Sequence, residues 1–201
     1  MPEKITKVRD RDALSGTEAE SIFRACSGLS DRPQYNQHWG LLFQGLWYSG
    51  LRINELLAVT WELVEPGFLT VRPLKTRAAF ELRRQPVPAF YTEELISFPL
   101  SYHFRPRGPV FPWHHTHVRR ILNQVAVLAG IDRELNPHLF RHGYGHQAAA
   151  SLEAQGVSAV RQVTLLKGFL GHRGRGMDSV ARYQRPTAAE IEEAARRIFP
   201  S

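Results

Sequence analysis

The chain has 201 residues, 43% of them hydrophobic, and carries 26 Lys and Arg against 19 Asp and Glu, for a formal charge of +7. That length and apolar content support one well-buried core, so 1–201 is read as a single domain, and no apolar run approaches the ~20 residues of a membrane span. The N-terminus MPEKITKVRDRD has no hydrophobic signal region and the lone Cys26 excludes an internal disulfide, so the sequence points to a cytoplasmic protein with no membrane association.

Residues 1–14 are charged and aperiodic and read as a flexible basic arm. Thr17 and Glu20 then have the spacing of a capping box for a helix carrying Ile22, Phe23 and Cys26 inward, with the cysteine as a small buried hydrophobe. From Trp39 to Tyr48 a strongly apolar helix ends at Gly50, a residue suited to the left-handed conformation that stops helices. A second helix follows with Leu56, Leu57 and Val59. Between Gly67 and Val87 the period changes to alternation, FLTVRP and FELRRQPVP flanking a polar turn at Lys75, Thr76 and Arg77, which predicts a hairpin with a lysine near its tip.

A helix is expected over Thr92–Pro99, a short strand at Val110–Phe111, and a helix over Thr116–Ala129 with Val118, Ile121, Leu122 and Val125 on one face. Asn136 and Pro137 supply a cap and a first-turn proline for the helix that follows through His146 and Leu152. Further helices are expected over 157–170, 177–184 and 187–199, the last with a Thr187/Glu190 capping box. The whole reads as an α+β protein, mostly helical with a small antiparallel sheet.

Several polar residues stand at element ends. Arg52 follows Gly50 in YSGLRINELL, between two apolar helices, where it either points into a cleft or is a surface arginine paired with Glu55. His138 and Arg141 are three apart at a helix start, so they share a face, and the unpaired backbone N–H groups of that first turn favour an anion. His172 follows a helix ending in Gly171. Tyr183 lies between Arg182 and Arg185 in SVARYQRP, a positive setting that favours phenolate and attracts phosphate. Singly, each is as well explained by packing or solvation. Together, two arginines, a lysine, two histidines and a tyrosine match the needs of metal-free phosphoryl transfer.

The segments SGLRINELL, LKTR, HLFRH, LGHRG and ARYQR, in this order and spacing, resemble the boxes of the tyrosine recombinase (phage integrase-type) catalytic domain, from about Thr17 to Tyr183. The resemblance implies Arg52, Lys75, His138, Arg141, His172 and Tyr183 as the catalytic set, with Glu55 supporting Arg52. The stretch that holds Lys75 also holds Arg77, Arg83 and Arg84, and Lys75 is the residue taken as general acid.

What the resemblance implies is a cytoplasmic, nucleoid-associated site-specific recombinase acting on double-stranded DNA through a 3′-phosphotyrosyl intermediate, without cofactor or metal. It further implies a homotetramer on paired sites, with accessory DNA-bending proteins as possible partners. The additional DNA-clamping domain that most family members carry before the catalytic one does not occur in this sequence, so the expectation is a compact form like the recombinases that invert fimbrial promoters. The helix 187–199 either folds on its own core or docks on a neighbouring protomer, and the second is the expectation.

Two other functions fit the same residues: nicking and resealing of one duplex in the manner of a type IB topoisomerase, and a catalytically silent DNA-binding regulator. His114, His115 and His117 lack a nearby Cys or carboxylate to complete a metal site, and His142 and His146 lack the glutamate of an HExxH pair, so neither group is read as a metal site.

Overall fold

The structure, a computed structural model, describes residues 13–72, 82–171 and 188–198. Helix α1 (Gly16–Ala25) starts two residues earlier than the Thr17/Glu20 spacing predicts. Its N-cap is Ser15, whose hydroxyl accepts from the Glu18 N–H while the Glu18 carboxylate accepts from the Ser15 N–H. A Ser/Thr-x-x-Glu pattern occurs twice in this segment, two residues apart, and the earlier copy, Ser15/Glu18, satisfies the helix end.

Helix α2 (Pro33–Ser49) is the central element. Trp39, Leu41, Leu42, Phe43 and Leu46 are all essentially inaccessible, so the helix is enclosed on most sides, as an apolar helix without a polar stripe must be. Each such side chain contributes about 1.5–3 kcal/mol on burial. As predicted, Gly50 stops it, with φ +60° and its N–H donating to the Leu46 carbonyl. The short helix α3 (Ile53–Leu57) follows directly.

Strands β1 (Val64–Glu65), β2 (Phe68–Val71) and β3 (Arg83–Pro86) form an antiparallel sheet in that order, with Leu69 opposite Gln85 and Val71 opposite Arg83. The predicted hairpin is therefore β2–β3, and its tip, including Lys75, lies outside the described residues. Helices α4 (Ala89–Ser101) and α5 (His115–Leu128) follow, the latter burying Val118, Ile121, Leu122 and Val125 as its spacing requires.

Val110–Phe111 is not a strand: among the described residues an isolated bridge pairs the preceding Pro109 with Thr60, and the Val110 N–H donates to the Val59 carbonyl. With a proline at Pro109 and another at Pro112, the run has too few donors to extend a ladder.

Helix α6 (His138–Ala154) starts behind Pro137, and the Asn136 side-chain oxygen accepts from the His138 N–H, as the Asn–Pro pair predicts. Helices α7 (Ala159–Phe169) and α8 (Ala188–Arg196) complete the chain; the helix expected over 177–184 and the Thr187 cap fall outside the described residues.

Two clusters of buried side chains result. The larger joins α1, α2, the sheet, α4, α5 and the first turn of α6. The smaller joins Tyr144, Ala148 and Leu152 of α6 to Leu165 and Phe169 of α7 and to Ala195 and Ile198 at the end of the chain. Within the single chain, Ala195 and Ile198 near its end are buried in the smaller cluster, and the Ser151 hydroxyl donates to the Arg197 carbonyl. Among the described residues no helix is long and apolar enough to cross a membrane.

Candidate active site

The two clusters meet along α6, and the polar residues singled out from sequence gather at that seam. Arg52 occupies the N-cap position of α3. Its backbone N–H donates to Glu55 Oε2 at 3.0 Å and its guanidinium Nη1 to Glu55 Oε1 at 3.1 Å. Both alternatives read from the sequence therefore hold at once: Arg52 is ion-paired with Glu55, and its side chain remains 29% exposed, while Glu55 is buried. The carboxylate fixes the guanidinium from behind and leaves its outer edge open.

Arg141 lies one turn into α6 and is only 4% exposed. Its Nη1 donates to the Gly50 carbonyl at 2.6 Å and its Nη2 to the Leu170 carbonyl at 2.5 Å. Gly50 belongs to the end of α2 and Leu170 to the end of α7, so one guanidinium holds two helix termini whose last carbonyls lack intrahelical partners. An arginine has five N–H donors, and these two bonds leave donors for a further ligand.

Burial pushes the Arg141 pKa down to about 10, and the neighbouring charges of Arg52 and Arg83 push the same way, with Glu55 opposing. Arg141 is still charged at neutral pH. Three guanidinium charges thus face one carboxylate, a net positive locus suited to an anion.

The backbone of this seam is tightly specified. A Cβ on Gly50 would stand 2.5 Å from Cδ1 of Tyr144, so the Tyr144 ring is laid directly against the turn whose carbonyl Arg141 holds. Burial raises the Tyr144 phenol above its ordinary pKa, opposed by Arg83 and Arg141, so it stays a neutral packing group.

His138 stands one turn before Arg141 on α6, at i, i+3 spacing on the same side of the helix, and is exposed. Its ring meets that of His142 edge-on, with centroids 4.6 Å apart. Of the residues expected to act together, Arg52, Glu55 and Arg141 are brought together, and His138 stands one turn before Arg141 on α6. Lys75, His172 and Tyr183 lie outside the described residues. No group of His, Cys, Asp and Glu able to hold a metal occurs among the described residues.

Sequence reasoning passed over Arg83, which appeared only as one of several basic residues near the hairpin. Nothing in the string RRQP separates it from Arg84. In the structure the two differ sharply: Arg84 pairs with Glu65 and lies over the Phe68 ring, whereas Arg83 reaches across to α7 and donates to the Phe169 carbonyl at 3.1 Å. Alternation along β3 puts neighbours on opposite faces, and only one of them faces the seam.

No protein-family model and no curated protein matches the chain. Solved structures do. The crystal structure of XerA recombinase aligns with a TM-score of 0.59 at 20% identity, over 94% of this chain and 65% of its own. XerH site-specific recombinase, in a post-cleavage complex with palindromic difH substrate, aligns at 0.61 and 18% identity, over 92% of this chain and 52% of its own. The catalytic domain of bacteriophage HP1 integrase aligns at 0.55 and 19% identity, over 89% of this chain and 90% of its own.

The chain has the tyrosine recombinase catalytic fold. It spans 65% and 52% of the XerA and XerH chains, but nearly all of the isolated integrase domain. Within the tyrosine recombinase fold, the α2–α3 junction, the start of α6 and the end of α7 are the places where Arg52, Arg141 and the Leu170 carbonyl meet.

Proposed function

We propose that the chain is a site-specific recombinase that cleaves and rejoins double-stranded DNA through a phosphotyrosyl intermediate. The observation that carries this reading is the convergence of Arg52 and Arg141 from separate elements into one locus of excess positive charge, within a fold shared with recombinases, one of them in complex with its DNA substrate.

In this reading Arg52 and Arg141 bind the non-bridging oxygens of the scissile phosphate. Their charge-assisted bonds strengthen as the transition state gathers charge there. Both are held rigid beforehand, Arg52 by Glu55 and Arg141 by two carbonyls, so little reorganisation accompanies the reaction.

Tyr183 is the nucleophile, His138 helps to take its proton, His172 adds a hydrogen bond to the phosphate, and Lys75 protonates the departing 5′ oxygen. The phenol oxygen bonds to phosphorus as the 5′ oxygen leaves, giving a 3′-phosphotyrosyl link and a free 5′-hydroxyl. Attack by a 5′-hydroxyl of a partner strand reverses the step, so neither ATP nor a metal is required. Exchange between two duplexes needs four such tyrosines and hence four protomers around paired sites.

The test is incubation with nicked suicide duplexes and separation under denaturing conditions. A protein–DNA band that forms with the unaltered chain and disappears in Tyr183→Phe is the expected result. DNA binding with no covalent band on any duplex would replace this reading with that of a silent DNA-binding regulator. Relaxation of supercoiled plasmid with no site requirement would replace it with the topoisomerase reading.

A further inference from the structure

Arg83 stands apart from the residues already given a role. It is half-buried on β3, and its side chain crosses from the sheet to the last turn of α7, where Nη1 donates to the Phe169 carbonyl at 3.1 Å. The next carbonyl along, that of Leu170, is held by Arg141. Two guanidiniums from different elements therefore take successive carbonyls at one helix end, which would otherwise go without intrahelical donors.

Immediately beyond, Gly171 turns the chain at φ +60°, and a Cβ there would lie 3.0 Å from Cζ and 3.0 Å from Nη1 of Arg83. The guanidinium lies against the glycine, its Nη2 3.2 Å from that Cβ position, so a side chain there would push it off by a few tenths of an ångström. Two independent constraints, a left-handed φ and a close approach, thus act on the residue that directly precedes His172 in the sequence.

We infer that Arg83 is a positioning residue of the cleavage site, tying the hairpin strand that follows Lys75 to the end of α7 that precedes His172, so that both segments depart from one fixed junction. This rests on the recombinase reading for its consequence in catalysis but not for its geometry. Arg83 acts through the Phe169 carbonyl and Gly171, and it also adds to the positive field at Arg141. Without it, β3 and α7 lose a charge-assisted bond at the point where the two buried clusters abut.

The experiment uses the full chain and the variants Arg83→Met and Arg83→Lys. On a nicked suicide duplex at saturating DNA, Arg83→Met is expected to form the covalent adduct about tenfold more slowly, the size of effect that follows from losing one hydrogen bond to a charged group. The DNA concentration at half-saturation is expected to rise by much less than the rate falls, since Arg83 supplies field at the anion locus but is bonded to the Phe169 carbonyl. Arg83→Lys recovers the rate only in part, since an ammonium has one compact charge and lacks the planar group that lies against Gly171.

In the DNA-free protein, amide exchange at Leu170 and Gly171 is expected to rise about tenfold in Arg83→Met while that of Leu41–Phe43 is unchanged. A loss confined to DNA affinity, full recovery by lysine, or a uniform rise in exchange across the protein would overturn the inference. If Arg83→Met does not fold, the lysine variant decides by the same readouts. If the unaltered chain forms no adduct on any duplex, the recombinase reading falls, and unchanged exchange at Leu170 and Gly171 would then overturn the positioning role by itself.

Discussion

Arg141 shows how a single side chain serves both the fold and the proposed chemistry. Its burial at 4% exposure is compensated by the Gly50 and Leu170 carbonyls, which accept its hydrogen bonds, and by the nearby Glu55 charge; among the described residues Arg141 is in turn the donor those two helix-end carbonyls meet. Gly50 is therefore constrained three ways: it must be left-handed to end α2, it must offer its carbonyl to Arg141, and it must leave room for Tyr144. Gly50→Ala is expected to destabilise the chain by about 2 kcal/mol or more, combining the left-handed penalty of a Cβ with displacement of a fully buried ring. Urea unfolding measures this, and a loss below about 0.5 kcal/mol, the range of ordinary surface substitutions, would show that the turn relaxes without strain. Arg52 differs in kind, because Glu55 fixes it and its outer edge stays open.

The elements were legible from sequence where one periodicity dominated and one residue ended it. Helix α2 stops at Gly50, α5 buries the four residues that its spacing predicts, and the alternation around Lys75 is the β2–β3 pair. The misses share a cause, which is that a local pattern was decided by a distant partner. Ser15/Glu18 and Thr17/Glu20 are equivalent as text, but Arg133 reaches back from beyond α5 to hold both Glu18 and the Ala13 carbonyl, and so fixes the earlier start. Val110–Phe111 has a strand's composition, yet among the described residues its backbone meets Val59 and the His38 side chain rather than a neighbouring strand. The role of Arg83 depends on α7, 86 residues further along.

The last helix carries an apolar stripe that fits any apolar surface, and within the single chain α6 and α7 supply one. Ile198→Ala is accordingly expected to lower stability by about 2 kcal/mol, the low end of the range for buried isoleucine because the site is at the edge of the smaller cluster. The loss should be independent of protein concentration. A loss that vanishes on dilution would mean that the stripe is covered by a neighbour instead.

The molecule as assembled is two unequal cores joined at a charged seam, and a buried histidine away from that seam is expected to make it sensitive to acid. In the larger core His38 of α2 lies against Phe98, Phe111 and Trp113, with ring centroids at 4.7, 5.4 and 4.6 Å, and Trp113 in turn stacks on Trp39 at 3.9 Å. Its Nε2 is 2.7 Å from the Val110 carbonyl, so Nε2 carries the proton of the neutral ring. Burial lowers the His38 pKa below its ordinary 6.5, and the bond to Val110 only partly opposes this.

The folded protein therefore binds a proton at His38 less readily than the unfolded chain does. Above pH 6.5 neither state is protonated there and the contribution to stability is intact. As pH falls below 6.5 the unfolded chain takes up the proton first, and stability is lost until the folded-state pKa is also passed. Urea unfolding at pH 7 and at pH 5 is expected to show a marked loss for the unaltered chain. His38→Gln can keep a donor toward Val110 but does not titrate, so it should begin less stable, through poorer packing against three aromatic rings, yet lose much less on acidification. An equal loss in both proteins would remove His38 as the cause and return the acid sensitivity to the carboxylates, of which Glu18, held below its usual pKa by Ser15 and Arg133 against the opposing effect of burial, would then be the first to replace.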